Sequence, residues 1–349
     1  MANSPVKKVV VEIDKIRNPY SGLGQFCLHL GRALVEAQPL EIDLEFALAK
    51  GHHTAEDFGS FRQVSRFQVL NSKSTAPQIW HSTHQDSPYS PPRSSKFILT
   101  IHDLNFLEKY SSRMRQAWRL KLLQRKIDRC DALTTISHYS AQIIRDHLNI
   151  RDKPLHVIYN GCNHMAPVAS TPMHPVKSPF LFNIGVIQPR KNLEVLLPLM
   201  ERINTHKLVI AGSAQPRYLE ALKKRIDELR IHNKVIFTGP ITDAEKQWYY
   251  NHCDGFVFPS RSEGFGLPII EAMQVGKPVF LSTFTCLPEI GGDLANYWDH
   301  FEPDHMLNVL EKGLKQHNPE KSALLVKWSE KFSWPNAANA YWNLYQSLL

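Results

Sequence analysis

PSRSEGFGLPIIEAMQVGKPV, Pro259 to Val279, follows a short apolar run, Gly255–Phe258, and leads into an amphipathic segment. That order, strand then glycine-bearing loop then helix, is the unit of a parallel sheet covered on both faces. Pro268 suits the first helical turn, where its missing N–H is not needed. Gly264 and Gly266 let the backbone come close to a ligand. The N–H groups of Phe265, Gly266 and Leu267 are then expected to face an anion, helped by the helix dipole. Glu263 in the loop and Glu271 in the helix supply carboxylates, which accept hydrogen bonds from paired hydroxyls. A loop glutamate can hold sugar hydroxyls, and a helix glutamate a ribose.

The same alternation runs outward in both directions. Before it, strands are expected at Phe180–Val186, Leu208–Ala211 and Val235–Phe237, and after it at Pro278–Leu281. Helices are expected near Leu193–Arg202, Arg217–Leu229, Thr242–Asn251 and Pro268–Val275. An earlier series places strands at Val9–Ile13, Glu45–Leu48, Gln78–His81, Phe97–His102, Ala132–Ile136 and His156–Tyr159. Between the two series lies APVASTPMHPVKSP, Ala166 to Pro179, whose proline and small residues read as a linker. The chain of 349 residues therefore divides into a first domain over 1–165, the linker 166–179, a second domain over 180–331 and a terminal segment 332–349. The expected architecture is α/β, two doubly wound parallel sheets with ligands at the carboxyl ends of their strands.

Three further segments carry candidate chemistry. FNIGVIQPRKNL, Phe182 to Leu193, is a strand ending at Gly185, a turn, and a helix expected near Asn192. Arg190 and Lys191 offer a planar fork and a point charge to a pyrophosphate, although two such cations are commonly plain surface charges. YSGLGQF, Tyr20 to Phe26, has Gly22 and Gly24, but Cys27 stands where a dinucleotide fingerprint needs its third small residue. LTIHDLNF, Leu99 to Phe106, places His102 and Asp103 at a strand's carboxyl end, where reacting groups collect.

Taken together these segments resemble the family 4 glycosyltransferases, which have the GT-B fold and retain the anomeric configuration. Glu263 and Glu271, with seven residues between them, match that family's E-x7-E signature, and GFGLP, EAM, GKPV and Leu287–Glu289 agree with it. GVIQPRKN is similar to the family's G-x-x-x-P-R-K-N element, and IHD to its first-domain element. Some relatives carry Arg directly after the glycine, where this chain has Val186, so Lys191 is assigned more firmly than Arg190. The resemblance implies two Rossmann-like domains facing a central cleft, with residues 332–349 forming a helix that returns to the first.

It also implies transfer of a sugar from a nucleoside diphosphate sugar to a hydroxyl of a glycan or lipid-linked glycan, with retention. Glu263 and His102 would contact the donor sugar and Glu271 the ribose. Asp103 would orient or deprotonate the acceptor hydroxyl. Arg190, Lys191 and the helix near Leu267 would stabilise the leaving diphosphate, with Gly22, Gly24 and Gly185 shaping the donor site. No DxD element is present, so no metal is assigned and no cofactor is expected. Two carboxylates about 5 Å apart, as a retaining glycosidase needs, are not evident. The phrasing of IHDLNF and EGFGLPIIEAM leans towards mannosyltransferases of bacterial surface polysaccharide and a GDP-mannose donor. A UDP-sugar donor, a nucleotide-sugar epimerase and a non-catalytic nucleotide-sugar-binding protein remain the alternatives.

Composition bounds the rest. The net charge is +8 with 43% hydrophobic residues, a globular composition that favours anionic partners. Five scattered cysteines argue against a disulfide framework and for a reducing compartment. No stretch reaches the roughly 18–20 apolar residues of a membrane helix. A cytoplasmic enzyme is expected. From Lys109 to Arg129 eight cations face one acid, Asp128. This is either a solvated helix face or a peripheral contact with anionic membrane at its inner face. Trp118 and Leu122, and likewise Leu120, Leu123, Ile127 and Cys130, repeat at helical spacing and are expected to face the core. The segment lacks the aromatic interleaving of a nucleic-acid surface.

Overall fold

A computed structural model describes residues 7–18, 21–49, 60–64, 76–109, 112–164, 172 and 175–349. Most of the segment read as a linker lies outside these residues, as does Tyr20. In chain order the first series is β1 (Lys7–Glu12), α1 (Gly22–Glu36), β2 (Ile42–Ala49), β3 (Ser60–Val64), β4 (Ile79–Ser82) and β5 (Lys96–Ile101). It continues with α2 (Phe106–Lys109), α3 (Arg113–Arg129), β6 (Ala132–Thr135), α4 (His138–His147) and β7 (Leu155–Val157). The second opens with β8 (Phe180–Ile184), α5 (Leu196–Arg202), β9 (Lys207–Ala211), α6 (Pro216–Leu229), β10 (Val235–Gly239) and α7 (Asp243–His252). Then come β11 (Gly255–Phe258), α8 (Leu267–Gln274), β12 (Val279–Ser282), α9 (Leu287–Gly291), β13 (Asn296–Trp298), α10 (Pro303–Gln316), α11 (Pro319–Ser329) and α12 (Trp334–Leu348).

The chain forms two compact units. Met1–Gly161 with Phe332–Leu349 make the first, and Cys162–Lys331 the second. The first holds a parallel sheet ordered β3-β2-β1-β4-β5-β6-β7, the second one ordered β10-β9-β8-β11-β12-β13. Both follow the doubly wound pattern in which strand order reverses beside the first strand. The reversal falls between β1 and β4 in one sheet and between β8 and β11 in the other.

Alternation along β1 shows why both faces are covered. Val9 and Val11 join the core under α1 and α12, while Val10 joins the core under α3 and α4. The C-terminal helix α12 belongs to that first core through Ala338, Tyr341, Trp342 and Tyr345. Trp342 Nε1 donates to the Leu34 carbonyl of α1 at 3.1 Å. Buried His81 bonds the Tyr345 hydroxyl through Nδ1 at 2.6 Å and Thr100 through Nε2 at 2.7 Å. In the second unit one sheet face packs aliphatic side chains such as Leu208, Ile210 and Val257. The other carries an aromatic layer, with Phe182 against Tyr249 and Tyr250 at 5.3 and 5.1 Å between centroids.

The structure corrects two local expectations. Trp118 and Leu122 do not face the core: they are 62% and 37% exposed, while Leu123 and Ile127 are buried. Helical residues turn by about 100° each, which sets Trp118 and Leu122 opposite Leu123 and Ile127. Two apolar sets of helical spacing were present, and one side of α3 carries each. The second correction follows Gly185, where no α-helix begins at Asn192. Two 3-10 turns, Pro189–Lys191 and Leu193–Val195, are joined there by Asn192 at φ 56°, and α5 starts only at Leu196. No helix among the described residues is long and apolar enough to cross a membrane.

Candidate active site

The second sheet reverses beside β8, and the loops after β8 and β11 converge there. Gly185 ends β8 at φ +147°, and a Cβ on it would press Lys191 Cε and Nζ at 3.3 Å. Glycine thus lets the Lys191 side chain lie across the end of its own strand. The Pro189–Lys191 turn is tied to the loop after β11: Arg261 N–H donates to the Arg190 carbonyl, and the Ser260 hydroxyl oxygen lies 3.1 Å from the same carbonyl. Asn192 Nδ2 donates to the Pro259 carbonyl at 3.2 Å.

Glu263 is the centre of this arrangement. Its Oε1 accepts from Lys191 Nζ and from the Ser260 hydroxyl, each at 2.6 Å. Its Oε2 lies 3.4 Å from Arg190 Nη1, which also donates to the Ser262 carbonyl at 2.8 Å. Glu263 N–H donates to Thr285 Oγ1, and the Cys286 sulfur lies 3.3 Å from the Glu263 carbonyl oxygen. Lys191 is buried, with Nζ 4.4 Å from the centroid of Phe258. Burial pulls its ammonium below the ordinary lysine range, and the Glu263 carboxylate opposes that fall. Two cations and one carboxylate leave a net positive corner at the carboxyl edge of the sheet.

Glu271 belongs to a neighbouring arrangement with different partners. It lies in α8, which opens behind Gly266 at φ 109° with Pro268 in its first turn. Oε1 accepts from Lys246 Nζ and Oε2 from the Tyr250 hydroxyl, both at 2.8 Å. Burial works to lower the Lys246 ammonium, but Glu271 and Asp243 outweigh it and hold it above the ordinary lysine value. In the loop between, the Phe265 side chain is buried and its carbonyl accepts from the Cys286 thiol at 3.1 Å.

In the first unit the two candidate glycines separate. Gly24 packs against the turn before it, since a Cβ there would sit 2.0 Å from the Asn18 carbonyl oxygen. Gly22 faces open space. Just before both, the Ser21 hydroxyl caps α1 by accepting from Gly24 N–H at 3.0 Å. His102 and Asp103 follow β5. His102 is buried, and its Nε2–H donates to the Thr83 carbonyl at 2.8 Å, so in the neutral ring Nδ1 carries the lone pair. Burial lowers its pKa and keeps it neutral, with the Thr83 bond and Asp103 opposing. Its ring meets Phe26 of α1 edge-on at 4.6 Å. Asp103 accepts from Asn105 N–H at 3.0 Å and Asn105 Nδ2 at 2.8 Å.

A family model described as "Glycosyltransferase Family 4" matches residues 51–165, and one described as "Glycosyl transferases group 1" matches 171–322. The chain belongs to the family 4 glycosyltransferases. The serotype-specific mannosyltransferase WbdA of Escherichia coli is 29% identical over 266 residues, covering 70% of this chain and 32% of WbdA. The chain spans about a third of the length of that relative. The O-antigen chain mannosyltransferase B of Escherichia coli is 24% identical across 98% of this chain and 100% of that protein. In fold it matches the sucrose-phosphate synthase of Thermosynechococcus elongatus, with a TM-score of 0.73, 17% identity, and coverage of 98% and 99% of the two chains. The fold is GT-B.

Several residues around the glycosyltransferase's candidate groups escaped the sequence reading. Ser260 supplies a second donor to Glu263 from three residues upstream. Lys246 and Tyr250 share one face of α7, four residues apart, a spacing that marks a common surface but not its partner. Glu12 ends β1 at the first sheet's reversal. It is buried, bonded to the Ser87 hydroxyl, and raised to about 7 by desolvation against the pull of Ser87 and Ser82. Its position, an acid closing a run of valines, was the available signal.

Proposed function

We propose that this chain transfers a mannosyl group from GDP-mannose to a hydroxyl of a glycan or lipid-linked glycan acceptor, with retention of configuration. The observation that carries this reading is the convergence of Lys191, Arg190 and Ser260 on Glu263 at the β8–β11 reversal. Ligands of doubly wound sheets bind at such a reversal. There Lys191 and Arg190 are the groups to stabilise the leaving diphosphate, the task a metal ion performs in other enzymes of this chemistry. Glu263 is placed to accept from sugar hydroxyls, and Glu271 from the ribose diol. The mannosyl donor is supported by relatives whose names describe mannosyltransferases. In the first unit, His102 is assigned to the sugar and Asp103 to the acceptor hydroxyl. The acceptor proton leaves with the departing phosphate, since no second carboxylate is assigned as nucleophile.

The outer face of α3 supports a peripheral lipid contact as part of this reading. Of its cations, Arg119 pairs with Asp86, and Lys126 and Arg129 donate inward to the carbonyls of Gln85, Ser87 and Pro91. Arg113, Arg115, Lys121 and Arg125 stay exposed around Met114, Trp118 and Leu122. A basic rim about an apolar stripe matches an anionic bilayer surface.

Release of GDP from GDP-mannose with polyprenyl-linked or oligomannosyl acceptors tests the transfer. Turnover by wild type and its loss in Lys191→Ala would support the assignment, whereas equal turnover by both would end it. Vesicle flotation tests the contact: Trp118→Ser should weaken recovery on anionic vesicles, and binding equal to neutral vesicles would remove the lipid proposal.

A further inference from the structure

Glu271 arrives at its position with both carboxylate oxygens already engaged. Lys246 Nζ takes Oε1 and the Tyr250 hydroxyl takes Oε2, each at 2.8 Å. The two donors come from one helix face, and that helix is fixed at both ends of the span that matters. At its start a capping box closes Thr242 on Glu245. Towards its end Tyr250 is fully buried, edge-on to Phe182 of β8 at 5.1 Å and tilted against Phe256 of β11 at 5.5 Å. Those are the two strands between which the sheet reverses. The phenol also reaches the Pro268 carbonyl at 3.1 Å, in the first turn of α8.

We propose that Lys246 and Tyr250 are positioning residues that hold the Glu271 carboxylate in one plane, so that its two remaining lone-pair directions accept a vicinal diol. This rests on the reading of Glu271 as the group that meets the ribose of a nucleoside diphosphate. An ionised carboxylate offers about four acceptor directions, and two are filled here. The two left lie one on each oxygen, which is the demand of a 2′,3′-diol. A 2′-deoxyribose fills only one. With the carboxylate fixed, the unfilled direction cannot turn to another donor, so the site discriminates ribose from deoxyribose. If the carboxylate were free to rotate, it would rebond to whichever hydroxyl remained.

An ion pair between α7 and α8 could serve stability alone. Partly buried pairs are a poor stabilising device, because desolvation offsets much of the attraction. Stability and discrimination are separable by experiment. Calorimetric titrations of the full chain with GDP, UDP and ADP, each beside its 2′-deoxy counterpart, give a ribo-to-deoxy affinity ratio. For whichever base binds, wild type is expected to prefer the ribo form by roughly tenfold, the worth of one hydrogen bond to a charged group. Lys246→Met and Tyr250→Phe should each bring that ratio close to one. Tyr250→Phe keeps the ring packed on Phe182 and Phe256, so it serves where Lys246→Met folds poorly.

Variants that melt lower yet keep the wild-type ratio would overturn the positioning role and leave the nucleotide reading standing. Equal wild-type affinity for both sugars would remove Glu271 from the ribose and this inference with it. Wild type that binds none of the three nucleotides would sink the functional reading first.

Discussion

The two strand-order reversals of this molecule share a topology and differ in charge. At β8–β11 a buried lysine and a half-exposed arginine surround one carboxylate, 2.6 and 3.4 Å from its oxygens. At β1–β4 burial disfavours charge on three groups. Burial raises Glu12 to about 7 and lowers His81 to about 3 and His84 to about 2. The doubly wound frame fixes where a ligand comes to a sheet, but not what charge it meets. A cationic corner suits a leaving diphosphate, whereas Glu12, His81 and His84 favour their neutral forms at the other reversal.

Substitutions sharpen this contrast, beginning with the largest effect. Lys191→Ala should lower kcat by about a hundredfold or more, as the loss of one preorganised donor does. It should also cost ~3 kcal/mol of stability, because Glu263 is left buried without its closest partner. Adding Glu263→Gln should restore much of the stability and none of the transfer, which thermal melts and initial rates would separate. Arg190→Ala should cost less on both counts, since its side chain is 40% exposed and 3.4 Å from Glu263.

The first reversal is tested through pH. Glu12 has a folded pKa above its ordinary value of 4.5, so the folded chain binds the extra proton. Its contribution is complete below about 4.5 and is lost as pH rises through about 7. The shift corresponds to about 3 kcal/mol over that window. Glu12→Gln should flatten that part of the stability profile, and melts at pH 5 and pH 8 would show it. An unchanged slope would mean that Glu12 is not neutral in the fold. A loss of about a hundredfold in nucleotide affinity by calorimetry, roughly tenfold for each of two hydroxyl contacts, is expected for Glu271→Ala. Gly24→Ala should destabilise, with a Cβ 2.0 Å from a carbonyl oxygen, whereas Gly22→Ala should leave the melt near wild type.

What the sequence made legible was local. Arg190, Lys191 and Glu263 each lie within a few residues of a strand's end, so a strand, a turn and a residue type place them at the sheet's edge. Most strands of both parallel sheets were readable as short apolar runs bounded by turn residues, but β3, SFRQV, is not such a run and no strand was expected there. What stayed hidden depended on direction or on distance along the chain. Trp118 and Leu122 satisfied a spacing rule shared by the buried Leu123 and Ile127, and only the angle between the two sets tells core from surface. Lys246 reaches Glu271 across 25 residues, through the packing of two helices that no local pattern encodes. β13, three residues long, offers too little periodicity to stand out.

The most direct test of the account is a calorimetric titration of GDP-mannose into wild type and into the Lys191→Ala, Glu263→Gln double variant. Saturable binding by wild type, lost in a double variant that still melts cooperatively, is the predicted result. Binding that survives the double substitution, or no binding by wild type to GDP-mannose, would contradict the donor site at the β8–β11 reversal.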